Sequence, residues 1–273
     1  MTKTAIIVTS DQHINSTVGL SVPRINLDDG GSYNSSPGQR WLWKSWLEFN
    51  DWAQKLTEGY KRVAILNGDL GELDTKRRSN QIITANKATI QAIIRETLDP
   101  LMLWTDSLYV IRGTMAHTGK SGWLEEAIAA DYDHTVPASK GVYSHYHLRL
   151  VADRVRLDIA HHAGMPSLPW TEKNAANKIA YLTRSRYLEM DAPPPHFVIR
   201  SHNHRTADSF DNFHTRAICM PSWSLMTEFA YRIGAENSRS NVGGLVILCE
   251  DGQAEVHKFS REPKAGRLWA IQA

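Results

Sequence analysis

Cysteine is scarce: Cys219 and Cys249 are the two that 273 residues contain. That is too few for a disulfide framework, so both are expected to be reduced thiols. Long apolar runs are missing as well. No stretch approaches the about 18 residues that a membrane helix needs. The chain goes directly into a strand-like run, Thr4-Ala5-Ile6-Ile7-Val8, without the basic-then-apolar pattern of a signal peptide. A cytoplasmic protein with no membrane partner is the expectation. Charge bias is also lacking: 31 basic residues stand against 29 acidic ones, a net charge of +2. That balance supplies no general argument for nucleic-acid or membrane binding. No internal repeat and no linker divides the sequence, which predicts a single domain over residues 1–273. A chain of this length buries about three quarters of its unfolded surface, so it can hold itself together by its core.

What the sequence does have is histidine placed at the ends of apolar runs. Phe197-Val198-Ile199 reads as a buried strand, and it ends in Ser201-His202-Asn203-His204, two imidazoles two positions apart. Ala5–Val8 leads into Asp11 and His13. Val63–Leu66 closes on Gly68-Asp69. Ser107–Ile111 ends in Arg112-Gly113-Thr114-Met115-Ala116-His117, and Val155–Ala160 ends in His161-His162. Between these runs, helical spacing predicts helices over 39–56, 82–104 with a break at Asp99-Pro100, 122–130 and 171–187. Residues 14–38 read as a long loop, and Tyr143–Val151 with Val155–Ala160 as a hairpin around Asp153-Arg154. The aromatic stripe Trp41, Trp46, Phe49 and Trp52 reads as core packing, and His145 and His147 as solvent-facing. Further strands are expected at 215–220, 244–248 and 254–259.

Strand ends on one sheet edge lie about 5 Å apart, so residues distant in sequence converge there. Mixed carboxylate and imidazole ligands suit manganese, iron, zinc, nickel or cobalt. A carboxylate between two such ions can bridge them, and a pair of ions can clamp a phosphoryl group and lower the pKa of a water.

The order Asp-x-His, Gly-Asp, a Gly-rooted turn with His, a paired His and then His-x-His resembles the calcineurin-like metallophosphoesterases. It runs from Asp11 to His204. The resemblance implies an α/β fold, a four-layer αββα sandwich of two mixed β-sheets flanked by helices. It implies two divalent transition-metal ions, manganese foremost, and hydrolysis of a phosphate mono- or diester. Asp11, His13 and His204 would bind the first metal, Asp69 would bridge, and His202 would bind the second. One of His161 and His162 would join it, with a lean to His162 because Ala163-Gly164 follows. The third motif departs from the family's Gly-Asn-His: Thr114 stands in the place of Asn, and His117 comes three residues later. Thr114 is a candidate ligand of the second metal through its hydroxyl, a poorer donor than an amide oxygen. Either His117 takes the ligand role, or the second metal is held more weakly, or His117 is the general acid for the leaving group, since histidine titrates near working pH. Glu72, after Gly68-Asp69, is a candidate to support the ligands from behind.

Arg112 and Arg205 flank the motifs as candidates for holding substrate phosphate. Nucleic acid is an alternative substrate, as in nucleases resembling those of double-strand-break repair. The basic tract Lys76-Arg77-Arg78 and the helical Lys178, Arg184 and Arg186 would then track the backbone. A binding protein on a decayed site is the third reading.

Overall fold

The computed structural model describes residues 3–74, 81–164, 171, 173–228 and 241–264, so the tract Lys76-Arg77-Arg78 lies outside the described residues. In chain order the strands and helices are β1 (Thr4–Thr9), β2 (Arg24–Asn26), β3 (Ser32–Asn34), α1 (Pro37–Leu56), β4 (Lys61–Asn67), α2 (Lys87–Met102), β5 (Ser107–Ile111), α3 (Met115–Thr118) and α4 (Trp123–Ala130). They continue with β6 (Ser144–His145), β7 (His147–Ala152), β8 (Val155–Ala160), α5 (Asn174–Glu189), β9 (Phe197–Arg200), β10 (Ala207–Asp208), β11 (Arg216–Cys219), β12 (Val242–Glu250) and β13 (Gln253–Arg261).

Two mixed sheets form. The first has the order β13-β12-β1-β4-β5-β6 and the second β10-β11-β9-β8-β7. β1, β4 and β5 run parallel to one another, as do β8, β9 and β11. Strands covered on both faces read as continuous apolar runs, and β1 shows why. Ile6 and Val8 point into the core between the sheets, where they meet Leu157, Ile159, Ile199 and Ile218. Ala5 and Ile7 point the other way, onto Leu42, Trp46, Phe49, Ile90 and Ile94 of α1 and α2. On the far side, Val198, Ala217 and Cys219 pack beneath Ala176 and Ala180 of α5. The result is the expected helix–sheet–sheet–helix layering, and both cysteines are buried free thiols. No helix among the described residues is long and apolar enough to cross a membrane.

α1 begins at Pro37, two residues before its apolar pattern. Ser36 and Gln39 make a reciprocal capping box, and Pro37 occupies the first turn, where no amide hydrogen is needed. Its aromatic stripe is core, as expected: Trp46 and Phe49 pack on Trp223, and Phe49 and Trp52 on Phe259. Three expectations change. The 14–38 loop contains the β2–β3 hairpin. α2 starts at Lys87, because Asn86 caps it and residues Ile83 and Thr84 are instead tied to Asn15. It then runs through Pro100 without a break, because that proline falls in the last turn and Leu103 N–H still reaches Asp99 O. The third concerns Tyr143–Val151, which divides between the sheets. Ser144 and His145 pair with β5 in the first, and only β7 forms the hairpin with β8 in the second. The turn residues Asp153 and Arg154 have φ of 41° and 70°, the hand that a two-residue hairpin requires.

His147 is not simply solvent-facing. Its Nε2 lies 2.8 Å from Asp158, a carboxylate only 1% exposed. Asp158 also accepts from Arg200 at 2.6 Å and from the Tyr187 hydroxyl at 2.9 Å. This network ties α5, β7 and β9 together beside the His202 loop. Burial works to raise the Asp158 pKa, but the His147 and Arg200 contacts overcome it and hold it well below the ordinary carboxylate range. A depressed pKa stabilises the fold above the unfolded value of about 3.9 and loses that contribution as pH falls through the folded value. Asp158→Asn is therefore expected to destabilise the protein by about 3 kcal/mol at pH 7, since Arg200 is left buried without its partner. Chemical denaturation should show the gap between mutant and parent closing as pH is lowered below about 4; a constant gap would contradict this role.

Candidate metal centre

The parallel strands of both sheets deliver their carboxyl ends to one end of the sandwich. The loops after β1 and β4 keep pairing beyond the strands: Asp11 N–H donates to Gly68 O, His13 N–H to Asp69 O and Ile14 N–H to Leu70 O, each at 3.0 Å. Asn67 crosses to the second sheet, where its amide donates to Ser201 Oγ at 2.6 Å and Ala160 O at 3.3 Å. His161 returns the link, its Nδ1–H donating to Asn67 O at 2.7 Å. The two sheets are thus pinned where the candidate ligands emerge.

Five of those ligands sit in left-handed backbone: Asp11 at φ 53°, His13 at 45°, Asp69 at 52°, His202 at 75° and His204 at 57°. Asp and His tolerate this region better than most residues, yet each such position still costs about 1–2 kcal/mol. Strain concentrated on the same residues that converge is expected of a site rather than of a scaffold. Two glycines allow the close approach. A Cβ on Gly68 would stand 2.5 Å from His161 Nδ1, and one on Gly113 would stand 2.2 Å from Asp69 N.

Three groupings of ligand-type side chains result. Asp11, His13 and His204 form the first, Asp69, His161 and His202 the second, and His13 recurs with Glu72 and His117 in a third. In the first, His13 Nε2 and His204 Nε2 lie 3.0 Å apart and His204 Nε2 lies 3.3 Å from Asp11 Oδ1. In the second, His161 Nε2 is 3.0 Å and His202 Nδ1 3.9 Å from Asp69 Oδ2. Asp11 Oδ1 joins them, with His161 Nε2 at 3.9 Å and His13 Nε2 at 4.0 Å. That oxygen is fully buried and accepts no hydrogen bond from the described residues. The other oxygen, Oδ2, accepts from the Ser10 hydroxyl and from His202 N–H.

Electrostatics point the same way. Burial opposes the charge of Asp11, but His204 and His161 outweigh it and lower its pKa. Asp69 falls well below the ordinary range despite burial, through its hydrogen bond to His161 and the attraction of the nearby His202 and His13 imidazoles. Burial disfavours a charged His161, yet the hydrogen bond to Asp69 and the charges of Asp11 and Asp69 raise it to about 9. A field that holds a proton on a buried imidazole would hold a cation in its stead. The residues therefore fit a pair of divalent ions. The pocket offers a buried carboxylate oxygen that accepts no hydrogen bond from the described residues, with imidazole nitrogens converging on it from three loops.

His161 rather than His162 lies in the cluster with Asp69 and His202. His161 is 1% exposed. His162 is exposed, its ring centroid 5.1 Å from that of His161 and 4.9 Å from that of His202. Strand alternation could have found this, because Leu157 and Ile159 face the sheet that carries Asp69 and His161 continues their parity. Thr114 stands in the second set, donating its backbone N–H to Asp69 Oδ1 at 2.5 Å and its hydroxyl to Asp69 Oδ2 at 3.0 Å. Its hydroxyl is also 3.2 Å from His202 Nδ1.

His117 lies beside the first set. Its Nδ1 is 2.7 Å from Glu72 Oε1, the same oxygen that takes His13 Nδ1–H at 2.8 Å. Burial tends to raise Glu72, but the two imidazoles outweigh it and pull its pKa down to about 2. A place as ligand of the second metal does not match this position. Arg112 is committed elsewhere: it bonds Ser144 at 2.8 Å, pairs with Glu126 at 3.3 Å and stacks over Tyr146. Arg205 follows His204 directly and is half-buried, while Lys178 and Arg186 are exposed on α5 with Arg184 half-buried. Ser10, Asn67 and Glu125 carry parts of the site that their sequence positions do not advertise.

Replacing His161 with Ala is expected to weaken manganese binding by more than about 100-fold, beyond the effect typical of a ligand's supporting partners. Replacing His162 should change it less than about threefold, since it lies outside both ligand sets. Isothermal titration of the metal-free protein measures both, and the opposite ranking would contradict the assignment.

No protein-family model matches the chain, and no curated protein does. Solved structures similar to it include a dimetal phosphatase from Danio rerio at 8% identity, covering 93% of this chain and 95% of that one, with a TM-score of 0.47. Vacuolar Protein Sorting 29 from Cryptosporidium parvum is 12% identical over 96% of this chain and 100% of that one, with a TM-score of 0.37. A metallophosphoesterase from Sphaerobacter thermophilus is 11% identical over 93% and 88%, with a TM-score of 0.36.

Proposed function

We propose that this chain is a metal-dependent phosphoesterase of the calcineurin-like kind, hydrolysing a phosphate mono- or diester. The observation that carries this reading is Asp11 Oδ1, buried and unpaired, with three imidazole Nε2 atoms from three different loops within 4.0 Å. Asp11, His13 and His204 would hold one divalent ion, and Asp69, His161 and His202, steadied by Thr114, the other. Manganese suits this donor set first, with iron, zinc, nickel and cobalt as chemical equivalents. Bound there, such ions supply a water of lowered pKa and neutralise charge on the phosphoryl oxygens.

The remaining chemistry belongs to the chain. Glu72, ionised throughout the working range, takes the Nδ1–H of both His13 and His117. That fixes both tautomers. His13 keeps a lone pair on Nε2 for the ligand set. His117, with its side chain 34% exposed, keeps Nε2 open to solvent, from which it would take a proton and pass it to the leaving oxygen. The dyad thus does from α3 what an adjacent histidine would do in an uninterrupted Gly-Asn-His turn.

With manganese added, the protein should hydrolyse p-nitrophenyl phosphate or its bis ester. Cleavage of single- or double-stranded DNA at low salt without monoester activity would instead assign it to the nucleases. Inactivity on all four, with two ions bound, would contradict a hydrolase. His117→Asn is expected to lower kcat by about 10²–10⁴-fold on alkyl phosphates, whose leaving groups need a proton. The loss on nitrophenyl esters should be much smaller, because that leaving group departs as the anion. Equal losses on both would remove His117 from the acid role.

A further inference from the structure

Glu125 is the third residue of α4 and is 0% exposed. Its neighbour Glu126 answers to ordinary structural needs, taking Arg112, Ser144 and the Tyr143 amide. Glu125 does not. Its Oε1 accepts the backbone N–H of Gly113 at 3.2 Å, and its Oε2 has no partner among the described residues. Burial first, and the nearby charge of Asp69 second, push its pKa up to about 7. A carboxyl taken wholly out of water is costly unless its hydrogen bond does something an apolar side chain could not. Leu124 and Ile128 already fill the apolar face of the same helix.

What Gly113 does supplies the reason. Gly113 and Thr114 form the turn that grips Asp69: Thr114 gives Asp69 both its N–H and its hydroxyl. The turn packs so closely that a Cβ on Gly113 would stand 2.2 Å from Asp69 Oδ1. The connection that returns α4 to this turn passes through left-handed backbone at Gly119, Ser121 and Gly122, with φ of 85°, 57° and 64°. Glycine takes this conformation freely, but Ser121 does not, and a strained residue stays in place only where its surroundings over-determine it. The Glu125–Gly113 hydrogen bond is one such constraint, and it lies one peptide unit from the group that orients Asp69.

We propose that Glu125 is a positioning residue for the second ligand set. Its Oε1 locks the Gly113–Thr114 turn onto Asp69 and thereby sets how tightly Asp69, His161 and His202 hold a cation. This rests on the two-ion reading of the site. What matters is the reach and acceptor of Glu125, not its charge.

Two variants separate those properties. Glu125→Asp keeps a carboxyl but withdraws it by one methylene from Gly113. Glu125→Gln gives up the charge but keeps an acceptor at the same distance. Manganese titration of the metal-free protein at pH 7 reads the affinity of each ion, and thermal unfolding reads whether each variant is folded. Glu125→Asp is expected to weaken one of the two ions at least tenfold and to leave the other within threefold of the parent. Glu125→Gln is expected to keep both within threefold. Parental affinities in Glu125→Asp would overturn the proposal. So would an equal loss in Glu125→Gln, which would make charge the operative property. A parent protein that takes up fewer than two ions would overturn the two-ion reading itself, a failure distinct from either variant result.

Discussion

Two carboxylates removed from water, Asp11 and Asp69, are the constraint to which the rest of the molecule answers. Buried anions are tolerated only when paired or when they coordinate a metal. Here the partners are imidazoles drawn from both sheets, and one oxygen of Asp11 has none that donates to it. The left-handed backbone at five ligand positions adds several unfavourable contributions of about 1–2 kcal/mol each. Such an arrangement is unfavourable for a bare scaffold, and the proposed pair of cations would offset its cost.

The layered fold makes this concentration possible. Parallel β1, β4 and β5 in one sheet and β8 and β9 in the other end side by side, and the Asn67–Ser201 and His161–Asn67 bonds clasp the two ends. The inter-sheet core of Ile6, Val8, Ile65, Ile159 and Ile199 sits directly beneath. Behind these side chains, Glu72 bonds His13, Ser10 bonds Asp11 and Thr114 bonds Asp69 twice, while Glu125 reaches only the Gly113 amide beside them. Thr114 steadies Asp69 by donating both its N–H and its hydroxyl.

Most of the site was legible because its ligands punctuate apolar runs. Asp11, His13, Asp69, His202 and His204 each follow a buried strand, and a polar residue at that place has few structural reasons to exist. The layering was implied by the family resemblance, and the structure gives it a physical reason: β1 and β4 are apolar on both faces, which demands cover on each. Other features are tertiary and leave no local trace. His117 and His13 share an oxygen of Glu72 across three separate loops. Glu125 and Glu126 look alike in sequence, and only the packing of α4 sends one into the interior. Tyr143–Val151 alternates as one strand would, yet its two ends belong to different sheets, a division set by partners distant in the chain. The choice between His161 and His162 was available from parity with Ile159 but was masked by the small residues that follow.

Anomalous scattering from manganese-soaked crystals addresses the pairing of the two ligand sets most directly. Two peaks separated by about 3.5–4 Å are expected, one within reach of Asp11, His13 and His204 and the other within reach of Asp69, His161 and His202. No peak at these side chains, or a single peak held by surface carboxylates elsewhere, would contradict the dimetal centre and with it the proposed chemistry.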